Sequence, residues 1–245
     1  MSLPRLNIVV AIDSNNGIGK GEDIPWHSAE DLKFFKELTT GLGKFAYKTS
    51  TASVITNTVI MGRVTYESLP DDFRPLPGRM NIVISTTMDA STNPFMTVFS
   101  SISDALITIG SRIKEGEKIF IIGGQSIYDE ILYKYLYLVD NIYITKFKQN
   151  YDCDHHFDYD YVLELKDQGL ITLQEKMSET STYTRFNYKV NVTHDEYQYL
   201  NLMRKVLTEG ELRKDRTSVG TKSIFGGKME FDISESIPIL TTKNV

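Results

Sequence analysis

The chain has 245 residues, 41% of them hydrophobic, and a formal charge of −5, which suits one full domain plus something smaller and argues against a nucleic-acid or membrane-surface partner. Its single cysteine, Cys153, excludes an intrachain disulfide and fits a reducing compartment. The opening Met-Ser-Leu-Pro-Arg-Leu-Asn has no apolar leader core and no apolar run reaches membrane-spanning length, so a soluble, cytoplasmic protein is expected.

In chain order, Leu6 to Ile12 is an apolar run broken only by Asn7 and reads as a buried strand. Asp13 to Asp23 holds Gly17, Gly19 and Gly21 among polar residues and reads as a mobile loop. Pro25 and Trp26 end it. Ser28 then reads as a helix N-cap, with Asp31 three residues on as its capping-box partner. Positions 31, 34, 35 and 38 share one helix face, so a carboxylate sits at the rim of an apolar stripe made by Phe34, Phe35 and Leu38. An acid there can pair with a flat ligand that carries N–H donors. It can equally be a first-turn carboxylate meeting the positive end of the helix dipole. The helix ends near Gly41 or Gly43. Residues 44–56 have no clear period and read as an excursion.

Thr58 to Met61 is a second buried strand, and Gly62 turns it into a short helix opened by Arg63. Arg74-Pro-Leu-Pro-Gly-Arg79 is a rigid turn that can present Arg79 as a fixed fork for a carboxylate. Asn81–Ser85 and Phe95–Ser100 are strands. Ser103 reads as the cap of a helix from Asp104 to about Arg112. Lys118–Ile122 is a strand, Gly123-Gly124 opens a helix from Gln125 to about Tyr135, and Asn141–Phe147 is a sixth strand. Residues 170–177 and 182–192 alternate as an antiparallel edge pair.

Strands alternating with helices predict a doubly wound α/β domain whose sheet is mostly parallel, with an antiparallel edge hairpin. Ligands on such sheets bind beyond the carboxyl ends of the strands. The loop after Ile12, Gly62-Arg63 and Gly123-Gly124 all fall there, and Asp31 lies on the helix after the first of them. The double glycine can turn backbone N–H groups and a helix start toward a pyrophosphate, though it can also be a plain tight turn. Arg63 can hold a phosphate or be a solvated surface arginine. Asp152-Cys-Asp-His-His-Phe-Asp-Tyr-Asp160 is rich in metal-ligand types, but its spacing is irregular, so it reads as an acidic surface loop with no metal. Acidic neighbours argue against Cys153 as a nucleophile.

Taken together, Val10-Ala11-Ile12, Gly17-Ile-Gly19, Asp23-Ile-Pro-Trp26, Asp31-Leu-Lys-Phe-Phe35, Val59-Ile-Met-Gly-Arg63 with Thr65, Arg74 to Arg79, Ile121-Ile-Gly-Gly124 with Tyr128, and Ile144-Thr145 resemble the dihydrofolate reductase family in register over about residues 5–190. The resemblance implies reduction of 7,8-dihydrofolate to tetrahydrofolate with NADPH. It implies that Asp31 is the pterin-binding acid, with Thr145 hydrogen-bonded behind it and Trp26 in the same catalytic group. Val10, Leu32, Phe35 and Leu69 would line the substrate, and Arg79 would clamp its glutamate α-carboxylate. Ala11, Ile18, Ile122 and Tyr128 would line the nicotinamide. Arg63, Ser85 and Thr86 would meet the 2′-phosphate, and Thr65, Gly124, Gln125 and Ser126 the pyrophosphate. Gly19, Gly62 and Gly123 belong to the same cofactor-binding set. The resemblance also implies a cis Gly123–Gly124 bond and a lid made by the Gly17–Ile24 loop. Val64 stands where many members carry a second basic residue or His, and Ser100 where some carry Arg, so a preference for NADPH over NADH rests largely on Arg63. A non-catalytic folate-binding protein would tolerate loss of Asp31. A deaminase-type reductase of pyrimidine or pterin precursors should lack Arg79 and the Pro-Trp pair, and both are present.

From 193 to 245 the chain resembles the start of thymidylate synthase, in Tyr197 to Leu202, Asp215 to Thr221, Ser223 to Gly226 and Pro238 to Lys243. Arg216 aligns with an arginine that holds the nucleotide phosphate. Ser218-Val219 replaces a Gly-Thr pair, and Asn244 follows Lys243 where Arg is usual. The synthase nucleophile is a cysteine, and the only cysteine here is Cys153, so methyl transfer is not expected of these residues. The expected organisation is a reductase domain over 1–192 followed by a short α+β fragment over 193–245, the front portion of a bifunctional protein whose complete form dimerises through its synthase domain. His194 to Leu207 is the helix expected in that fragment, which by itself is too short to bury a core.

Overall fold

The computed structural model describes residues 4–42, 56–89, 93–114 and 116–191, and beyond them 199, 202–203, 205–207, 210–213 and 220–229. The chain divides into two compact units, Met1–Val190 and Asn191–Val245.

The first unit is built on an eight-stranded sheet in the order β5-β4-β3-β6-β1-β7-β10-β9. Six strands are parallel: β1 (Leu6–Ile12), β3 (Thr58–Gly62), β4 (Met80–Ile84), β5 (Met96–Phe99), β6 (Ile119–Ile121) and β7 (Val139–Phe147). β9 (Ile171–Glu179) and β10 (Tyr183–Val190) form the antiparallel edge, with β10 paired to β7. Alternation along the strands sorts the apolar side chains onto two faces. Ile8, Val10 and Ile12 of β1 point to one face and Val9 to the other. Ile60 likewise opposes Val59 and Met61, Ile121 opposes Phe120, and Ile144 opposes Tyr143.

Both faces are covered, which is why these strands read as continuous apolar runs. The first face is covered by α3 (Ile102–Gly110), α4 (Gln125–Lys134) and α5 (Tyr159–Asp167). The second is covered by α1 (Ala29–Thr40), through Phe34 and Leu38, and by Tyr66 of the short α2 (Arg63–Glu67). Burying each such aromatic or aliphatic side chain is worth about 1.5–3 kcal/mol.

Local chemistry sets the helix ends. The Ser28 hydroxyl accepts from Asp31 N at 3.2 Å, and α1 stops at Gly41, whose φ of 70° suits a residue without Cβ. α3 starts two residues earlier than its sequence suggested. Ser101, not Ser103, is the cap and accepts from Asp104 N at 3.1 Å, which leaves Ile102 free to enter the core. The acidic 152–160 stretch is also more ordered than a surface loop. Asp158 caps α5 by accepting from Tyr161 N at 2.9 Å, and His155–His156 form β8, antiparallel to β2 (Gly17–Gly19). Neither of these short strands was anticipated, because two- and three-residue strands carry no readable period; α5 was missed although Tyr159, Val162 and Leu165 recur on its buried side.

The excursion at 44–56 lies outside the described residues except for Thr56. In the second unit, β11 (Glu211–Arg213) pairs antiparallel with β12 (Thr221–Ser223). Of the helix expected over 194–207, residues 199, 202–203 and 205–207 are described, and they are helical. Arg216 and the Pro238 to Lys243 motif lie outside the described residues. Among the described residues, no helix is long and apolar enough to cross a membrane.

Candidate active site

Asp31 sits in the first turn of α1, where an Asp commonly turns back to its own cap. Here it turns across to the sheet. Its Oδ1 accepts from Arg185 Nη2 at 3.1 Å, with the two side chains 16% and 6% exposed. Arg185 lies on β10 directly opposite Thr145 of β7, and its Nε donates to the Thr145 hydroxyl at 3.0 Å. Thr145 therefore reaches Asp31 through Arg185 rather than by a direct hydrogen bond, because the guanidinium fills the space between them. The guanidinium also lies over the Phe34 ring at 3.9 Å and the Tyr183 ring at 4.8 Å. Arg185 went unnoticed in the sequence. The available signal was a basic residue in phase with Tyr183 on the covered face of a strand, a position that demands an anion.

Beyond Asp31, α1 carries Leu32, which is largely exposed, and Phe35, which like Leu69 is half-buried against the core of the second face. At the other end of the helix, Arg79 is buried. Its Nη1 donates to Thr39 Oγ1 at 2.8 Å and its Nε to Pro77 O at 3.1 Å, with its guanidinium 5.6 Å from the Phe35 ring centroid. Burial pushes its pKa down to about 10, and among the described residues no carboxylate pairs with it. A desolvated cation of this kind favours an incoming anion. Arg74 instead serves its own turn, donating to Glu67 O at 2.8 Å and pairing with Asp71. Its bond to Pro75 is cis.

Val10 requires a correction as a substrate-facing residue. The alternation of β1 sends its side chain to the face covered by α3, α4 and α5, whereas Val9 packs with Phe34 on the α1 face. Val9 also offers its carbonyl to the Tyr128 hydroxyl, which donates at 2.7 Å. Burial raises the Tyr128 pKa, so it stays a neutral donor. Trp26 packs its ring against Phe147 and Tyr151, with centroids 5.2 and 5.3 Å away, near the end of β7.

The double glycine joins β6 to α4 through a cis Gly123–Gly124 bond. A Cβ on Gly124 would lie 3.1 Å from Thr65 Oγ1, and one on Gly123 3.1 Å from the Tyr128 ring, so close packing keeps both positions bare. Gly62 N donates to Gly123 O at 2.7 Å, which draws the ends of β3 and β6 together. Ile122, the residue before this turn, and Ala11, near the end of β1, are half-buried, and Ile18 packs against the α4 side of the core. Gln125 and Ser126 open α4, where the first N–H groups lack intrahelical partners. The Gln125 side-chain oxygen accepts from His156 N at 2.9 Å, which ties that side chain to β8. Arg63 is half exposed and pairs with Glu67 one turn on. Ser85 folds its hydroxyl onto Thr87 N and Met88 N, and Thr86 is exposed beside it.

The glycine loop is anchored rather than loose. Asp13 is fully buried and accepts from Asn15 N and Gly17 N at 2.8 Å and from Tyr151 N at 2.9 Å. Burial raises its pKa, but these N–H groups outweigh that and hold it below the usual carboxylate range. Farther along, Gly19 O accepts from Asp154 N at 3.0 Å, and the Asp154 carboxylate accepts from Gly21 N at 2.9 Å. Gly17 must be glycine, since a Cβ there would sit 2.3 Å from Cys153 Cβ. The Cys153 thiol is pushed up to about 11 by its burial and by the Asp13 charge, so it stays protonated. Among the described residues, no group of three His, Cys, Asp or Glu could hold a metal ion.

Comparison with known proteins places this geometry. Residues 5–192 match the family model for dihydrofolate reductase and residues 197–245 the model for thymidylate synthase. The chain is similar to bifunctional dihydrofolate reductase-thymidylate synthases. It is 33% identical to that of Daucus carota over 97% of this chain and 51% of the relative. It is 34% identical to that of Paramecium tetraurelia over 98% and 48%, and 32% identical to that of Leishmania major over 100% and 50%. It thus spans about half the length of the curated relatives it matches. The acid of α1, the buried arginine at that helix's far end and the bare glycine turn all fall within residues 5–192, and over that stretch the chain belongs to the dihydrofolate reductase family.

Proposed function

We propose that this chain reduces 7,8-dihydrofolate to tetrahydrofolate at the expense of NADPH. The observation that carries the reading is that α1 presents a carboxylate at one end and seats, at the other, a guanidinium that pairs with no carboxylate among the described residues. Asp31 and Thr39, the residue that holds Arg79, are eight positions apart on this helix. At 1.5 Å per residue that is about 12 Å, with Leu32 and Phe35 between. Dihydrofolate has the complementary layout: ring N–H donors at one end, a flat benzoyl linker, and an α-carboxylate at the other.

Asp31 would hold the pterin ring N–H and 2-amino group as a bidentate pair, which favours the protonated ring that accompanies reduction. Arg79 would take the α-carboxylate and recover the cost of its own burial. Leu32, Phe35, Leu69 and Val9 would wall the rings and exclude water.

The residues around the glycine turn fit a dinucleotide. The bare Gly123 and Gly124 leave room for a close approach, and the α4 start offers N–H groups to a pyrophosphate. Thr65, Gly124, Gln125 and Ser126 would hold the pyrophosphate, while Arg63, Ser85 and Thr86 would hold the 2′-phosphate. Ala11, Ile18, Gly19, Ile122 and Tyr128 would bound the nicotinamide. NADPH when bound supplies the hydride. The chain's own part is alignment and exclusion of water, the latter through the loop pinned by Asp13 and Asp154.

Residues 197–245 extend the reading: they belong to a synthase portion of a longer, bifunctional, cytoplasmic protein that dimerises through that portion. These residues contain no cysteine, so the methyl transfer is not theirs.

The test is cofactor oxidation followed by loss of the reduced nicotinamide's near-ultraviolet absorbance. Dihydrofolate-dependent oxidation is expected, and Asp31→Ala should lower kcat at least about a hundredfold at neutral pH. Comparable turnover in that variant would refute the reading.

A further inference from the structure

Asp31 has two possible partners, and the structure shows it with the more distant one. At the third position of α1 it could close a capping box by accepting from the Ser28 N–H, the local contact its sequence position favours. Its Oδ1 instead accepts from Arg185 Nη2, on a strand 154 positions away in sequence. Only Oδ1 is used. Among the described residues no second donor reaches the carboxylate, so Oδ2 is left for a ligand. Arg185 can impose this choice because its own position is fixed from several sides: Nε on Thr145, the guanidinium over Phe34 and beside Tyr183, and the Tyr183 hydroxyl donating to Glu30 at 2.9 Å.

We infer that Arg185 is a positioning residue for dihydrofolate reduction: it draws the Asp31 carboxylate away from its own helix cap and turns both oxygens to the pterin, Oδ2 unoccupied and Oδ1 keeping its second lone pair for the other ring donor. This rests on the role proposed for Asp31 above. Arg185 touches neither reactant, and its effect passes through Asp31. Thr145, which supports Arg185 from β7, acts one step further back. A fork held at both Nε and Nη2 fixes direction as well as charge, which an ammonium at the same place does only in part.

The test is a double-mutant cycle on dihydrofolate binding, read by quenching of the single tryptophan, Trp26, with kcat followed alongside. Arg185→Met in the otherwise unchanged protein should weaken dihydrofolate binding about tenfold or more and lower kcat. In the Asp31→Asn background the same substitution should change dihydrofolate affinity by less than about threefold, because the group it positions is already disabled. NADPH affinity should stay within about twofold throughout, and Arg185→Lys should recover part of the binding. Equal losses in both backgrounds would overturn the assignment, as would NADPH affinity falling in step with dihydrofolate affinity in both Arg185→Met and Arg185→Lys. If Asp31→Asn alone left binding and turnover intact, the Asp31 role itself would fail. Additive losses with Asp31→Asn impaired would sink only the role of Arg185.

Discussion

Arg63 opens α2 at the carboxyl end of β3, and its only ion-pair partner among the described residues is Glu67. Both side chains are nearly half exposed, 43% and 46%, and an exposed pair one helical turn apart is worth only about 0.3–0.5 kcal/mol. A phosphate dianion can outbid that, since it offers bidentate acceptors to the same fork. Val64, the next residue, adds no second cation. Cofactor choice should therefore depend heavily on this one side chain. Arg63→Ala is expected to lower kcat/KM for NADPH about tenfold or more and to leave NADH within about twofold, measured as paired kcat/KM values. Equal losses for both cofactors would remove Arg63 from the 2′-phosphate site. Arg63, Asp31 and Arg79 could be picked out of the sequence as candidates because each is tied to a local pattern: a strand end, a helix start, a proline-stiffened turn. Arg185 and Val9 could not, because the contacts they make depend on which face of a strand they occupy and on which strand lies alongside. That information is set by register, not by neighbours in sequence.

At the level of elements, the six parallel strands and four of the five α-helices among the described residues of the first unit could be read from the sequence, while most of their limits moved by one or two residues. α3 shows why. Three serines, Ser100, Ser101 and Ser103, stand near its start, and the side chain that reaches the third helical N–H is that of Ser101. Asp104 closes the motif by accepting from the Ser101 hydroxyl at 2.8 Å, whereas Ser103 is exposed on the first turn. An N-cap serine is worth about 1 kcal/mol. Ser101→Ala should therefore destabilise the protein by about 1 kcal/mol in urea unfolding, and Ser103→Ala by less than about 0.5 kcal/mol. The reverse order would restore the boundary first expected. The glycine loop gives the complementary lesson. Its three glycines and polar residues spell a loop in sequence, but the contacts that anchor it come from Tyr151 and Asp154, far along the chain. No local reading could supply them. The acidic stretch that resembled a stray metal site is the other half of that anchor: Asp154 accepts from Gly21 and Asp158 caps α5.

Across the whole first unit, a six-stranded parallel sheet with an antiparallel pair at one edge does two jobs. Its parallel part gathers the ends of β1, β3 and β6, and with them the loop after Ile12, Gly62 and the double glycine. Its antiparallel edge carries Arg185 up to α1. Helix α1 lies over the second face and spans from the acid to the Thr39 that seats Arg79. On the proposed function, one dihydrofolate is gripped at both ends of this helix. The most direct measurement compares dihydrofolate with 7,8-dihydropterin, which keeps the ring but lacks the benzoylglutamate, in the native protein and in Arg79→Ala. Arg79→Ala is expected to lower kcat/KM for dihydrofolate about tenfold or more while leaving dihydropterin within about twofold. Equal losses on the two substrates, or none on dihydrofolate, would contradict it.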